Sequence, residues 1–311
     1  MLRFIDLFSG IGGFHVALKE EGMECVFACD IDKKARESYY ANFGLKPKAD
    51  ITEVDVEDIP SHDVLCAGFP CQSFSVSGNL ESLNDKRGQL FFEIVRIAKH
   101  HNPQVLLLEN VKNILQIDDG QVIKTIEEEL DKAGYIMKYC LLNSSFFGVP
   151  QKRERVYFVC LKKDSPYTFS PPTYSVNEEI YLQDIMDTNP DSKLYLKESY
   201  AINWTRKTTD CAMKPIRLGY INKGAQGDRV YSHKGHATTL LATSGGLGAR
   251  TGLYTDNTGR VRKLSKVECK RIMGFNNSHV VSDGIAGIMQ LGNAVIPSIV
   301  RKVYNHISNT N

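Results

Sequence analysis

Phe4-Ile5-Asp6-Leu7-Phe8-Ser9-Gly10-Ile11-Gly12-Gly13-Phe14 decides how the chain begins to fold. An apolar run broken by one acid is a strand signal. The glycines after it permit a tight turn and let a ligand approach the backbone. Helical spacing then runs from Phe14 to Glu21. Strand, glycine turn and helix in succession are the layout of a nucleotide-type site. A dinucleotide fingerprint would need glycine or alanine at position 15, where this chain has His15, and that argues against a nicotinamide or flavin enzyme.

The same alternation continues. Cys25-Val26-Phe27-Ala28, Val64-Leu65-Cys66-Ala67, Val105-Leu106-Leu107-Leu108 and Val156-Tyr157-Phe158-Val159 are continuous apolar runs, as expected of strands in a sheet covered on both faces. Helical spacing at Lys33–Asn42, Leu90–His100 and Gln121–Ala133 falls between them. The pattern predicts a doubly wound, mostly parallel α/β domain of Rossmann-like type, with ligands outside the carboxyl ends of its strands. Asp30 closes the second strand, where a carboxylate meets ribose hydroxyls, and Asp50-Ile51 closes the next unit.

At 311 residues the chain has room for two lobes. The texture changes near Ser165, and Ser170-Pro171-Pro172-Thr173 reads as a linker. A stretch rich in Thr, Gly, Lys and Arg follows, predicting a smaller, mainly β or irregular lobe. Helical pattern returns at Ser265–Met273 and from Pro297 onward. Between Lys197 and Arg271 basic residues outnumber acidic ones by about ten, so the positive charge is concentrated where a lobe could meet phosphates. The eight cysteines fall into no zinc-type spacing, and no metal is expected. No apolar run approaches the roughly 20 residues of a membrane span. The start reads as a buried strand and not as a secretion signal, so a cytoplasmic protein is expected.

Three further segments carry chemistry. Gly68-Phe69-Pro70-Cys71-Gln72-Ser73-Phe74-Ser75 follows a strand, which predicts Cys71 at the ligand edge in an exposed loop. Glu109-Asn110-Val111 ends an apolar strand at that edge, where burial would raise a carboxyl pKa and suit it to proton donation. Gln151-Lys152-Arg153-Glu154-Arg155 directly precedes a strand.

Taken with Arg87-Gly88-Gln89-Leu90-Phe91-Phe92, Arg262-Lys263-Leu264 through Glu268 to Gly274-Phe275, and Gly292-Asn293-Ala294-Val295-Ile296-Pro297, these motifs stand in the order of the bacterial C5-cytosine DNA methyltransferases. The chain strongly resembles that family over nearly its whole length. The resemblance implies a catalytic and cofactor-binding domain at 1–180, a target-recognition domain at 181–261 and a return to the catalytic domain at 262–311. It implies Cys71 as nucleophile toward a flipped-out cytosine, Glu109 on N3 and the exocyclic amine, and Arg155 with Arg153 on the O2 side. It further implies S-adenosyl-L-methionine as methyl donor. Phe8 would meet the adenine, Asp30 the ribose hydroxyls, Ile31 the adenine side where relatives offer an aromatic surface, and Asp50 and Ile51 the adenine amine and face. Gly10, Gly12, Pro70, Leu90 and Asn293 would line the methionine end. Relatives often carry Glu-Trp where this chain has Asp30-Ile31.

Double-stranded DNA is the implied partner, met by Ser75 and Ser77 in the loop after the nucleophile. In the second lobe, Gln226, Arg229, Thr239 and Gly246 resemble at equal spacing the recognition lobe of bacterial methyltransferases specific for GCGC. The chain departs from those enzymes at Thr243-Ser244, where they carry Tyr-Gly, and GCNGC is the next candidate site. A monomer is expected, with a cognate restriction endonuclease in the cell but no stable complex. The alternative is a tRNA cytosine-5 methyltransferase on the same scaffold, whose usual Cys-Phe-Thr signature is absent from the second lobe.

Overall fold

The computed structural model describes residues 1–70, 89–173, 179–207, 210–243 and 246–309. Cys71, Ser75, Ser77 and Ser244 lie outside the described residues. The chain divides into two compact units. The first comprises Met1–Leu142, Glu154–Thr173 and Ile299–Asn311, and the second comprises Asn143–Arg153 and Tyr174–Ser298. The two units are described separately.

The first unit is built on strands β1 (Arg3–Leu7), β2 (Glu24–Cys29), β3 (Val64–Gly68), β4 (Val105–Val111), β5 (Tyr135–Asn143) and β6 (Glu154–Lys162), in the order β2-β1-β3-β4-β6-β5. β1 pairs in parallel with β2 and β3, and β3 with β4, whereas β6 runs antiparallel to β4. This is the doubly wound, mostly parallel Rossmann-like sheet. The strand order reverses between β1 and β3, which places a ligand crevice at their carboxyl ends.

The pleat sends alternate residues to opposite faces. Ile5, Leu7, Leu65, Ala67, Leu106 and Leu108 share a buried cluster with Phe91, Ile94, Val95 and Ala98 of a helix at Gln89–His101 and with Ile123, Ile126 and Leu130 of a helix at Gln121–Lys132. Each such side chain contributes about 1.5–3 kcal/mol when fully buried. On the other face, Phe4 meets the ring of His15 from helix α1 (Gly13–Glu20), and Asp6 faces Tyr39 from helix α2 (Lys33–Phe43). With α1 and α2 counted from the amino terminus, the helices at 89–101 and 121–132 are α3 and α4. A short strand β7 (Tyr167–Phe169) pairs with the terminal β13 (Ile307–Asn309), and Arg301 forms ion pairs with Glu20 and Glu21.

The second unit is β-rich. Its five-stranded sheet has the order β12-β11-β10-β9-β8, from Val261–Arg262, Leu253–Thr255, Arg229–Tyr231, Arg217–Tyr220 and Asn203–Trp204. Ile221, Val230, Leu253 and Val261 form its small core. Helices α5 (Leu182–Ile185), α6 (Lys266–Ile272) and α7 (Gly284–Asn293) complete it, and the last helix, α8 (Pro297–Tyr304), carries the chain back into the first unit. Among the described residues no helix is long and apolar enough to cross a membrane.

Candidate active site

The carboxyl ends of β1 to β4 lie along one edge, and the antiparallel β6 begins at that edge. Register makes this concrete: Leu7 stands beside Cys29 and Ala67, Gly68 beside Glu109, and Val111 beside Arg155. Residues far apart in sequence are therefore neighbours here because of strand direction.

The turn after β1 is bent into left-handed backbone, with φ of 54° at Phe8, 54° at Gly10 and 86° at Gly12. At Gly12 a Cβ would lie 2.2 Å from the Phe43 ring, so only glycine fits. At Gly10 a Cβ would meet nothing within 4 Å, which leaves the backbone open as a cradle. The Gly10 N–H donates to Asp30 Oδ2 at 2.7 Å, and Asp32 N–H donates to Asp30 Oδ1 at 2.8 Å. Burial pushes the Asp30 carboxyl above its ordinary range, and each of its oxygens keeps accepting capacity for a hydroxyl. Ile31 is 76% exposed beside it.

Lys48 extends the ladder past β2, exchanging backbone bonds with Ala28 and Asp30, which brings Asp50 alongside. Asp50 Oδ1 accepts from Thr52 N at 3.0 Å and from Thr52 Oγ1 at 2.8 Å, leaving its other oxygen without a hydrogen bond among the described residues. The Ile51 side chain is buried in the core, and Phe8 and Leu90 pack partly buried against it. These groups fit a nucleoside carrying a short amino-acid tail: an aromatic side chain, two carboxylates with accepting capacity, and open backbone between them.

Glu109 is 8% exposed, and its Oε1 is 3.1 Å from Arg155 Nε. Arg155 also donates to the Glu154 carbonyl at 2.8 Å, so the guanidinium is held on both sides. Asn110, a residue without an expected role, is buried and donates to the Phe69 carbonyl at 2.9 Å, while its Oδ1 accepts from Val111 N–H at 2.8 Å. It therefore anchors the backbone immediately before Pro70. Its only sequence signal was a polar residue following an acid at an apolar strand's end. Six of the seven described cysteines, Cys211 excepted, are buried or half-buried. Burial pushes the Cys25, Cys29 and Cys140 thiols up to about 12, and Cys66, Cys160 and Cys269 upward as well.

In the second unit, Gln151 bridges with its carboxamide, accepting from Leu240 N–H at 2.8 Å and donating to the Ile272 carbonyl at 2.8 Å. Arg153 is 3% exposed and donates to the carbonyls of Leu240, Gly292 and Ala294 at 3.2, 3.1 and 2.9 Å. Its guanidinium thus grips the backbone on both sides of Asn293, which stands exposed at the end of α7. Thr239 Oγ1 donates to the Lys152 carbonyl at 2.7 Å. Gln226 is exposed and Arg229 half-buried, its Nε donating to the Gly224 carbonyl at 3.4 Å. No group of three or more His, Cys, Asp or Glu residues is placed to hold a metal ion among the described residues.

A switch-point crevice with a glycine cradle, two carboxylates and a buried Glu–Arg pair at a strand edge defines a Rossmann-like protein with a nucleoside-type ligand site. The chain belongs to the C-5 cytosine-specific DNA methylase family, whose model matches residues 2–309, and it is an S-adenosylmethionine-dependent cytosine-5 DNA methyltransferase. It is similar to the type II methyltransferase M.HhaI of Haemophilus parahaemolyticus, at 40% identity over 99% of this chain and 95% of that protein. It is also similar to the type II methyltransferase M.MspI of Moraxella sp, at 38% identity over 98% of this chain and 70% of that protein. Its fold is shared with the crystal structure of the S. pombe Dnmt2 methyltransferase, with a TM-score of 0.75 at 22% identity over 98% of this chain and 97% of that one.

Proposed function

We propose that the enzyme methylates carbon 5 of a flipped-out cytosine in a short duplex DNA site, through a covalent bond between Cys71 and carbon 6. The observation that carries this reading is the Glu109–Arg155 pair, held at the same sheet edge as the glycine cradle and the Phe69-Pro70 backbone. Carbon 5 of cytosine is a weak nucleophile. Addition of the Cys71 thiolate to carbon 6 turns the ring into an enamine whose carbon 5 attacks. Negative charge then develops toward N3 and O2. Glu109 hydrogen-bonds N3 and the exocyclic amine, and Arg155 stabilises the O2 side. The pair is assembled before substrate arrives, so little reorganisation accompanies the step. Removal of the carbon 5 proton by a base then expels Cys71 and restores the aromatic ring. The ring face is reached only outside the stack, and flipping costs a few kcal/mol.

S-adenosylmethionine supplies an electrophilic methyl group on sulfur. Phe8, Asp30 and Asp50 would hold its nucleoside, and Gly10 and Gly12 its amino-acid end, to which the resemblance adds Asn293. Arg153, expected with Arg155 on the O2 side, is read instead as the residue that fixes the backbone around Asn293, because its guanidinium is taken up by three carbonyls.

For the target, 181–261 is the reading segment, with Gln226, Arg229, Thr239 and Gly246 as its contacts and Ser75 and Ser77 as contacts from the first lobe. The proposed site is GCGC, methylated at the inner cytosine, in a restriction–modification setting. Arginine makes two hydrogen bonds to guanine in the major groove. Bisulfite sequencing of randomised duplexes after treatment should place converted-resistant cytosines within GCGC. Methylation centred on CCWGG or on bare CG would remove the site assignment.

A further inference from the structure

Among the described residues, a side chain and a backbone hydrogen bond join two loops of the second unit. Asp228 is 6% exposed, and its Oδ1 accepts from Leu247 N–H at 3.2 Å. Its backbone is pinned as well: its N–H donates to the Ala225 carbonyl at 2.8 Å, and its own carbonyl accepts from Ile221 N–H at 2.9 Å. Next to it, the Gly227 carbonyl accepts from Gly248 N–H at 2.7 Å. Gly246 has a φ of 92°, and a Cβ there would lie 3.1 Å from Asp228 Oδ1 and from two backbone atoms of Gly227. One contact zone therefore joins 226–229 to 246–248. The residues on either side of Asp228 face differently, Gln226 exposed and Arg229 half-buried.

We propose that Asp228 is a positioning residue for target discrimination: it does not read a base, but fixes the spacing between the loop carrying Gln226 and Arg229 and the loop carrying Gly246. This rests on the reading of those loops as base-reading. Directional hydrogen bonds to base edges weaken steeply with misalignment. Loss of the carboxylate leaves the Gly227–Gly248 backbone bond but frees Leu247 N–H, which lets Gly246 shift relative to Gln226 and Arg229, and the wrong base is then rejected less well. The carboxylate is turned into the protein, where its buried oxygen satisfies a backbone donor that would otherwise be orphaned.

The experiment uses the full-length enzyme with S-adenosylmethionine. It compares kcat/KM on the preferred duplex with kcat/KM on a duplex changed at one base pair, and records the Tm of each variant. Asp228→Ala should lower the discrimination ratio roughly tenfold, the scale of one lost hydrogen bond to a charged group. Asp228→Asn keeps an oxygen acceptor for Leu247 N–H and should retain the ratio within about twofold. Gly246→Ala adds a Cβ 3.1 Å from Asp228 Oδ1 at a φ of 92°; because Gly246 is itself a proposed contact, the diagnostic quantity is the double variant, which should lose less than the product of the singles. If Asp228→Ala does not fold, Asp228→Ser, which draws the acceptor back from Leu247 N–H and should lower the ratio, carries the test with Asp228→Asn. A fall in Tm and in turnover on both duplexes alike, with the ratio unchanged, would overturn the proposal. Arg229→Ala separates this from the underlying reading. A ratio relaxed by Arg229→Ala but untouched by Asp228→Ala and Gly246→Ala removes the positioning role and leaves the reading. Ratios untouched by all three remove both. A ratio relaxed only by the Asp228 and Gly246 variants keeps the positioning role and assigns the reading to another residue.

Discussion

Glu109 and Arg155 meet through a backbone coincidence: β4 ends where the antiparallel β6 begins, with Val111 opposite Arg155. The guanidinium, 3.1 Å from the carboxylate, orients the group that faces the cytosine ring in the proposed mechanism. Glu109→Gln keeps the shape and removes the carboxyl group, so single-turnover methyl transfer should fall roughly 10²–10³-fold, while cofactor affinity measured by calorimetry should change by only a few-fold. An unaltered chemical rate would take Glu109 out of the mechanism. Away from the site, His62 is buried, its Nδ1 2.8 Å from the Pro60 carbonyl, and burial lowers its pKa from 6.5 to about 4. Between those values the unfolded chain binds the proton and the folded one does not. Its stabilising contribution is therefore present above about pH 6.5 and is lost as pH falls toward 4. Denaturant titrations across that window should show the wild type losing stability relative to His62→Phe. Parallel pH curves for the two would contradict the shift.

At the scale of elements, the turn between β1 and α1 and the join between β12 and α6 are the most constrained pieces. Gly12→Ala places a methyl group into the Phe43 ring at positive φ and should cost more than left-handed strain alone, which is about 1–2 kcal/mol. Gly10→Ala, at a φ of 54° with open space around the methyl group, should cost about that strain and in addition weaken cofactor binding. Thermal unfolding and cofactor titration of the two variants separate these effects. In the second unit, Arg262 and Glu268 form an ion pair with side chains 1% and 0% exposed, and Glu268 also closes the capping box of Ser265. Glu268→Ala leaves a buried guanidinium without its partner and should cost about 3–5 kcal/mol, read as a large fall in the denaturant midpoint. The core strands and α1 to α4 were legible because continuous apolar runs and helical spacing report burial directly. β5 was not, because Ile136 and Tyr139 are exposed and its pattern is that of a half-covered edge strand. α7 was missed because Gly284 and Gly287 lie within a helix whose apolar face is short. Glu109 and Asp30 were legible as carboxylates at strand ends, whereas Arg155 stood in a charged run before a strand and took its expected role from the resemblance alone. Asn110, Gln151 and Asp228 were not, since each acts through a backbone group that only the fold brings near.

For the whole molecule, the sheet edge and the β-rich second unit divide the work that the proposed function requires. The first supplies the cofactor cradle and the Glu–Arg pair, and the second supplies loops whose spacing is internally fixed. Family membership places the reaction at carbon 5 of cytosine in DNA, and the account's central claim is that the reaction passes through a Cys71–carbon 6 bond. Duplex DNA carrying 5-fluorocytosine at the target position tests it most directly, because fluorine at carbon 5 blocks the proton loss that releases the enzyme. With S-adenosylmethionine present, the wild-type enzyme should form a denaturant-resistant adduct of one protein per duplex, mapped by mass spectrometry to Cys71, and Cys71→Ser should form none. The account would be contradicted by an adduct at another residue, by methyl transfer without any adduct, or by trapping with fluorocytosine-containing tRNA in place of duplex DNA.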